Sequence, residues 1–130
     1  MKVFVRKISK NSKPGVIGSV KKWYYVIKSI GFLRGRELAL MVAEDSTIDP
    51  KEAELAVTRA GRFIVNALMS GQTVELEDLG SFRLTASCRG ADTKEELTID
   101  HIKRYHIRFT PFVVTKDKIK HTHAIDIETI

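Results

Sequence analysis

The sequence predicts an α+β fold: a β-hairpin, two helices, a three-stranded antiparallel sheet and a short terminal helix. Three observations predict it. The first 30 residues hold two β-branched and aromatic stretches around a glycine-containing turn, the middle holds one long capped amphipathic pattern, and apolar residues then alternate with polar ones. With 130 residues, 43% of them hydrophobic, the chain is long enough for one compact domain with a small appendage.

The N-terminal segment predicts a hairpin. The stretches VFVRKIS and KKWYYVIKS favour strands, and NSKPGVIG between them supplies the chain reversal through Pro14, Gly15 and Gly18. A two-stranded hairpin is marginally stable alone, so we expect it to dock on the rest of the protein or on a second copy. Trp23 and Tyr25 share one face of the second strand and are the expected anchors.

The same aromatic segment has a second interpretation. Lys21 and Lys22 directly precede three aromatic residues, Trp23, Tyr24 and Tyr25. Aromatic and basic side chains together form platforms on which unpaired bases stack. Core packing is the interpretation that the sequence favours, because a hairpin must bury apolar surface to persist.

Two helices are predicted next. The segment RELALMVAED has apolar residues at helical spacing. The second helix begins at TIDPKE, where Asp49 caps the first turn, Pro50 suits the first helical position and Glu52 completes a capping box. Gly71 ends this helix about twenty residues later. Its apolar stripe consists of Ala53, Ala56, Val57, Ala60, Phe63, Ile64, Ala67 and Leu68. The short first helix cannot cover so long a stripe, which predicts a second copy as its partner.

After Gly71 the apolar residues alternate with period two. Val74 and Leu76 define a short strand before a turn at residues 78–80, and the strands SFRLTASCR and RYHIRFTP follow. Their inward face comprises Phe82, Leu84, Ala86, Cys88, Tyr105, Ile107 and Phe109. The opposite face carries Arg83, Arg89, Arg104 and Arg108. That arginine-bearing face is a candidate phosphate surface.

The C-terminal segment predicts one more helix. Pro111 ends the last strand, and VVTKDKIKH is expected to form a short helix that exposes Lys116, Lys118 and Lys120. No element is predicted for the tail HAIDIETI, which has no evident pairing partner.

Charge is distributed unevenly along the chain, whose formal net charge is +6. Residues 1–36 hold ten lysines and arginines and no acid, residues 37–80 hold nine acids against three bases, and the remainder holds nine bases against seven acids. The basic segment at residues 1–36 predicts an anionic partner. Neutralisation within the molecule is the alternative, since mixed-sign surfaces are ordinary in small soluble domains.

The sequence gives no sign of catalysis. It has no Gly-rich phosphate loop and no serine in a nucleophile elbow, so we expect neither catalytic residues nor a cofactor. His121 and His123 would share a face if extended, but two ligands fall short of a zinc site, and no metal is expected. Cys88 on the inward face predicts a buried structural thiol. A single cysteine, no apparent leader and no long apolar run predict a soluble protein of the reducing cytoplasm.

Three segments resemble the HU and integration host factor family: LALMVAEDSTIDPKEAELAV, LMSGQTVELEDLGSFRL and IRFTP. VELEDLGSFRL is the most specific of them. The resemblance covers residues 34–121, which are preceded by a basic extension (residues 1–33) similar to one in a divergent HU-like branch and followed by a tail (residues 122–130). It implies an intertwined homodimer in which a two-helix base lies under a three-stranded β saddle with a β-arm. The implied dimer core comprises Phe63, Leu68, Phe82 and Phe109.

The family resemblance also implies a function, namely largely sequence-independent binding to double-stranded DNA in the nucleoid, without a membrane or a small-molecule substrate. The expected contacts are Lys21, Lys22, Arg83, Arg89, Lys94, Lys103, Arg104, Arg108, Lys116, Lys118 and Lys120. The resemblance stops at the arm tip. The family's tip carries basic residues and a proline that kinks DNA in the minor groove, whereas RGADTKEEL has no proline and three acids. A structural or protein-interaction module that lost DNA binding is the alternative.

Overall fold

The computed structural model describes residues 1–13 and 15–129. Its elements are β1 (Lys2–Asn11), β2 (Lys21–Ile27), α1 (Gly35–Glu44), α2 (Pro50–Met69), β3 (Val74–Leu76), β4 (Gly80–Cys88), a 3-10 turn (Ile99–His101), β5 (Ile102–Pro111), α3 (Val113–Lys120), β6 (His123–Asp126) and a last 3-10 turn (Ile127–Thr129). The predicted α+β class is confirmed. Two compact units are present, one formed by residues 1–33 with 118–130 and the other by residues 34–117. Pro14, predicted in the hairpin turn, lies outside the described residues.

The first unit is a three-stranded sheet in the order β2-β1-β6. β1 and β2 form the predicted antiparallel hairpin, with Val5 opposite Ile27. β6 pairs in parallel with the other edge of β1, where Phe4 lies opposite Ile125. The sequence predicted no element for this tail. It becomes a strand because the second edge of β1 offers backbone N–H and C=O groups that an extended segment can satisfy.

The two faces of β2 differ in exposure, and the predicted anchors Trp23 and Tyr25 are not buried within the single chain, although the Tyr25 hydroxyl bonds to Asp126. Trp23 is 72% exposed and Tyr25 59% exposed, whereas Tyr24 and Val26 on the other face are half-buried. Those two residues share their face with Ile8 of β1. Both faces of this strand carry apolar residues, so alternation alone could not identify the covered one.

The helices α1 and α2 pack through small side chains. Ala39, Ala43 and Ala53 are buried at their contact, with Val57 packed against them. Alanines at a helix contact allow the two backbones to approach closely. This contact accounts for three of the five buried apolar residues among the described residues.

Both ends of α2 lie where the sequence predicts them, but the capping box expected from Glu52 is not formed in the described part of the chain. The carboxylate of Asp49 accepts a hydrogen bond from the backbone N–H of Lys51 at 3.0 Å, and Pro50 occupies the first turn. At the other end the N–H of Gly71 donates to the Leu68 carbonyl oxygen at 3.0 Å. Gly71 has a φ of +88°, which an L side chain rarely adopts, so glycine is the residue suited to this cap.

The second unit contains the antiparallel sheet β3-β4-β5. Phe82 of β4 lies opposite Phe109 of β5, with ring centroids 4.9 Å apart. Gly80 begins β4 so close to β5 that a Cβ there would meet the Thr110 carbonyl oxygen. The Thr115 hydroxyl, at the start of α3, donates to the Leu79 carbonyl oxygen at 2.8 Å. This bond stabilises the turn between β3 and β4.

Candidate nucleic-acid interface

The register of β4 and β5 brings the predicted arginines onto one face of the sheet. Arg83 pairs with Arg108, Thr85 with His106 and Ser87 with Arg104. Side chains at alternate positions of paired strands lie on the same face. We call these six residues the basic face. Its charged members are exposed, and the face extends over about 14 Å of the two strands, from the rise per residue of a strand.

Arg83 and Arg108 stand directly opposite each other. In such a cross-strand pair the Cβ atoms are about 5 Å apart, and like charges there are destabilising. Within residues 1–13 and 15–129, neither guanidinium has a carboxylate at salt-bridge distance. The pair is therefore a concentrated, unneutralised positive charge, which an anion would stabilise.

His106 lies between the arginines of β5 on the basic face. Its Nε2 is 3.0 Å from the Ser87 hydroxyl, and its carbonyl oxygen is 3.5 Å from the Thr85 hydroxyl. The first contact holds the imidazole against β4, and the second joins the Thr85 side chain to the backbone of β5. The hydroxyls and the imidazole add hydrogen-bonding groups of the kind that meet phosphate oxygens.

A β-bulge determines where Lys103 lies. Ser87 pairs with Arg104 but its neighbour Cys88 pairs with Ile102, so Lys103 is the additional, unpaired residue. The bulge keeps Ile102 on the apolar side with Cys88. Bulges interrupt the alternation of side chains, and Lys103 consequently does not belong to the regular row of the basic face.

Two other predicted contacts lie beyond the paired strands. The backbone N–H of Arg89 donates to the His101 carbonyl oxygen at 2.8 Å, which holds Arg89 at the exit of β4. Lys94 is in the excursion between β4 and β5, where it is exposed among acidic neighbours. Arg89 therefore directly follows the strand that carries the basic face, and Lys94 lies off the sheet.

The three lysines of α3 do not share a face. Lys116 and Lys120 are four residues apart and lie on one side of the helix, whereas Lys118 is rotated by about 200° from Lys116. All three are exposed. Only Lys116 belongs to the unit that carries the basic face.

The two units differ strongly in net charge. Residues 1–33 with 118–130 hold ten bases and two acids, a net charge of +8, while residues 34–117 hold twelve bases and fourteen acids, a net charge of −2. Lys21 and Lys22 belong to the positive unit, and they project from opposite faces of β2. The chain's positive excess thus resides in the first unit, whose sheet β2-β1-β6 we call the N-terminal sheet.

A polar cluster in that sheet was not predicted. Asp126 of β6 accepts a hydrogen bond from the Tyr25 hydroxyl at 3.1 Å and lies 3.5 Å from the Lys7 ammonium, which is also 3.5 Å from Glu128. The backbone N–H of Glu128 donates to Asp126 and lowers the pKa of its carboxyl. The bond to Asp126 raises the pKa of Tyr25. The alternation in HAID was the signal for β6, but it did not identify β1 as the neighbour.

The apolar side of the second sheet is open within the chain. Leu68 is buried, but three of the four predicted dimer-core residues are not: Phe63 is 65% exposed, Phe109 42% exposed and Phe82 half-buried. Met69, Leu84 and Tyr105 line an open cavity of about 330 Å³ on this side.

The prediction that Cys88 is buried is wrong for the single chain. Cys88 is an exposed free thiol that lines an open apolar cavity of about 380 Å³ together with Leu97 and Ile99. It does lie on the apolar face, opposite Ile102, but at the end of β4. The prediction failed because side-chain direction was equated with burial.

Two further properties follow from the described residues. Among residues 1–13 and 15–129, no three histidine, cysteine or acidic side chains come together in a metal-binding group. None of the helices in this part of the chain is long and apolar enough to span a membrane.

Solved structures share this fold. An HU protein of Anabaena, solved in complex with DNA, is similar over 68% of this chain and 99% of its own, with a TM-score of 0.54 and 22% identity. A protein of Bacteroides vulgatus, whose role as a bacterial DNA-binding protein is itself a provisional assignment, is similar over 97% of this chain with a TM-score of 0.60 and 12% identity. This chain spans 48% of the Bacteroides protein.

Sequence comparison agrees with the fold. None of the curated proteins matches the chain. The family model described as an HU domain fused to wHTH, Ig, or glycine-rich motif matches residues 1–126, nearly the whole sequence. The HU-like resemblance read from the sequence is thereby confirmed, and the chain belongs to this HU-HIG family.

Proposed function

We propose that the protein is a histone-like architectural protein that binds double-stranded DNA largely independently of sequence, as a homodimer. The observation that carries the proposal is the basic face, with Arg83 and Arg108 paired across the strands and no carboxylate neutralising them among the described residues. Paired guanidinium groups suit phosphate oxygens, which they can bind in a bidentate manner. The Anabaena HU, which shares the fold, was crystallised with DNA.

Sequence independence follows from the chemistry of the basic face. Its groups are guanidiniums, hydroxyls and an imidazole on a sheet, and contacts to phosphate position a protein without reading bases. The excursion between β4 and β5 offers no proline, and its acids Asp92, Glu95 and Glu96 would be repelled by the phosphate backbone. The proposed complex therefore holds DNA without a sharp kink at the arm tips.

The homodimer is supported by the surface that the single chain leaves exposed. The chain exposes 11386 Å². A compact protein of 14.7 kDa exposes about 6,900 Å², and two separate globules of half that mass about 8,400 Å². The excess of roughly 3,000 Å² is on the scale that obligate dimers bury. The exposed Phe63, Met69 and Ile107 are the side chains that a second copy would cover.

The proposal is tested by measuring duplex affinity against salt for the full-length chain. Neutralising the cross-strand pair (Arg83→Gln with Arg108→Gln) is expected to flatten the slope of log K against log salt by about two for each chain, since each phosphate contact contributes about 0.9. The matched control neutralises Arg59 and Arg62 on α2, which removes the same charge from a surface outside the basic face. An equal loss in both variants would mean that net charge, and not the basic face, binds DNA.

One observation favours a second candidate, a protein-interaction module without DNA binding. The unit that carries the basic face has a net charge of −2. A gel shift with random duplex at physiological salt separates the two functions. Absence of a shift at tens of micromolar protein, the weak end of non-specific affinities, would favour the interaction module.

A further inference from the structure

The N-terminal sheet presents an aromatic surface that duplex binding by the basic face does not use. Trp23 and Tyr25 are two residues apart on β2, so they lie on the same face. Trp23 is 72% exposed and Tyr25 59% exposed. Lys21 continues the row towards the turn. Two large aromatic side chains exposed side by side form a contiguous apolar surface of the kind that marks interaction sites.

The neighbouring strand supplies polar groups to the same face. In the register of β1 and β2, Ser9 lies opposite Trp23, Lys7 opposite Tyr25 and Asn11 opposite Lys21. We call these six residues the aromatic platform. It combines two rings, two lysines and two small polar side chains on an antiparallel sheet.

The spacing of the rings suits nucleobases. Residues two apart on a strand lie about 6.8 Å from each other, twice the 3.4 Å rise between stacked bases. One base can therefore stack on each ring, or a single base can lie between them. The Tyr25 ring is held in place because its hydroxyl donates to Asp126 at 3.1 Å. An immobilised ring loses little side-chain entropy when a base stacks on it.

Charge identifies the class of ligand. The unit that carries the aromatic platform has a net charge of +8, with ten bases against two acids. Both acids are near Lys7, whose ammonium they neutralise, whereas Lys21 has no acid at salt-bridge distance among the described residues. At the Trp23 end of the platform, away from these two acids, an exposed ring beside lysines is complementary to a flexible polyanion with accessible bases. An apolar protein partner would not be complementary to the positive charge of this unit.

We propose that the aromatic platform is a binding site for single-stranded DNA, in which unpaired bases stack on Trp23 and Tyr25 while the backbone is held by lysines of the N-terminal sheet. Duplex DNA cannot use this site in the same way, because its bases are already stacked and their faces are inaccessible. The platform is independent of the basic face, so the chain would bind paired and unpaired DNA through different units.

The protein offers its own reporter for the test, since Trp23 is its single tryptophan. Titration of the full-length chain with oligothymidylate of about twelve nucleotides is expected to quench Trp23 fluorescence. Trp23→Ala should weaken oligothymidylate binding about tenfold or more, and Trp23→Phe, which keeps a ring, less than about threefold. Trp23 is exposed, so neither variant should change the circular dichroism of the protein.

Two matched variants separate this site from other effects. Tyr24→Leu removes an aromatic ring from the opposite face of the same strand, where the Lys10 ammonium lies 4.8 Å from the ring centroid, and should leave oligothymidylate binding unchanged. The Arg83→Gln, Arg108→Gln variant should lose duplex affinity and keep oligothymidylate affinity. Failure of the duplex proposal alone would leave the Trp23 quenching intact.

Three results would overturn the proposal. The first is unchanged affinity in Trp23→Ala. The second is a Trp23 emission that iodide cannot quench in the free protein, which would mean that a second copy covers the aromatic platform. The third is binding of oligouridylate at least about tenfold tighter than oligothymidylate, which would assign the site to RNA through its 2′-hydroxyls.

Discussion

The Tyr25 hydroxyl donates a hydrogen bond to the Asp126 carboxylate across 101 positions of sequence, and so joins the hairpin to the last strand. The Lys7 ammonium, 3.5 Å from the same carboxylate, completes the contact. Three strands of one sheet are thus tied by one acid. The stability of that sheet should depend on the ionisation of this acid.

We expect the N-terminal sheet to lose stability at acid pH. The pKa of Asp126 is lowered below its ordinary value of 3.8, chiefly by the N–H of Glu128, so its contribution is complete above that value and disappears as the pH falls through the lower folded-state pKa. The pKa of Tyr25 is raised above 10.0, so its contribution is lost as the pH rises through the folded-state value. Thermal unfolding at a series of pH values, followed by Trp23 fluorescence, measures the loss of stability at acid and at alkaline pH. Asp126→Asn should melt earlier at neutral pH and show a smaller further decrease in acid than the unchanged protein, because only the Lys7–Glu128 pair remains to be lost in this cluster.

We expect Gly80→Ala to destabilise the second unit. A Cβ at this position would meet the Thr110 carbonyl oxygen and also lie 2.7 Å from the Phe109 ring, so β4 and β5 would have to separate. The cost is about 2 kcal/mol, typical of overpacking. Urea denaturation measures it. Gly61→Ala is the control, because it has open space in the interior of α2 and should stabilise the protein by about 0.5–1 kcal/mol. Equal effects of both changes would contradict the close approach at Gly80.

Arg108→Gln should separate stability from binding. Removing one arginine relieves the repulsion from Arg83 directly opposite, so we expect stability to stay the same or to rise by about 0.2–1 kcal/mol. Duplex affinity should fall in the same variant, most clearly at low salt. Denaturation and gel shift on one preparation test both. A variant that loses stability and affinity together would indicate that Arg108 is a structural residue.

Phe63→Asp should prevent dimer formation. Phe63 is 65% exposed in the single chain, and a carboxylate in an interface formed by two such helices would be buried without a partner. We expect analytical ultracentrifugation to give monomer and the melting temperature to lose its dependence on protein concentration. Ile17→Asp is the control, because Ile17 lies in the hairpin turn and is fully exposed. A dimeric Phe63→Asp variant would show that the interface lies elsewhere.

Local signals predicted much of the fold. Asp49, Pro50 and Gly71 define both ends of α2, because capping depends on residues within one turn. Period-two alternation gave β3, β4 and β5, and placed Arg83 and Arg108 on one face before their register was known. Signals of this kind require no knowledge of distant contacts.

The features that could not be predicted depend on pairing between distant strands or on a single extra residue in a strand. β6 exists because β1 has a free edge, and nothing in HAID specifies that edge. The bulge at Lys103 shifts the face of a single residue, which a pattern of alternation cannot detect. For Trp23 and Cys88 the face was assigned, but which faces are covered depends on elements far away in the sequence.

The parallel pairing of β1 with β6 also determines when the N-terminal sheet can be completed during synthesis on the ribosome. β1 is synthesised first, but its partner strand begins at His123, more than a hundred residues later. At ordinary translation speeds this leaves one edge of the nascent hairpin open for on the order of ten seconds. During that interval we expect the three lysines and one arginine of β1 to keep neighbouring nascent chains apart by mutual repulsion, in the way that charged residues protect strand edges in finished proteins.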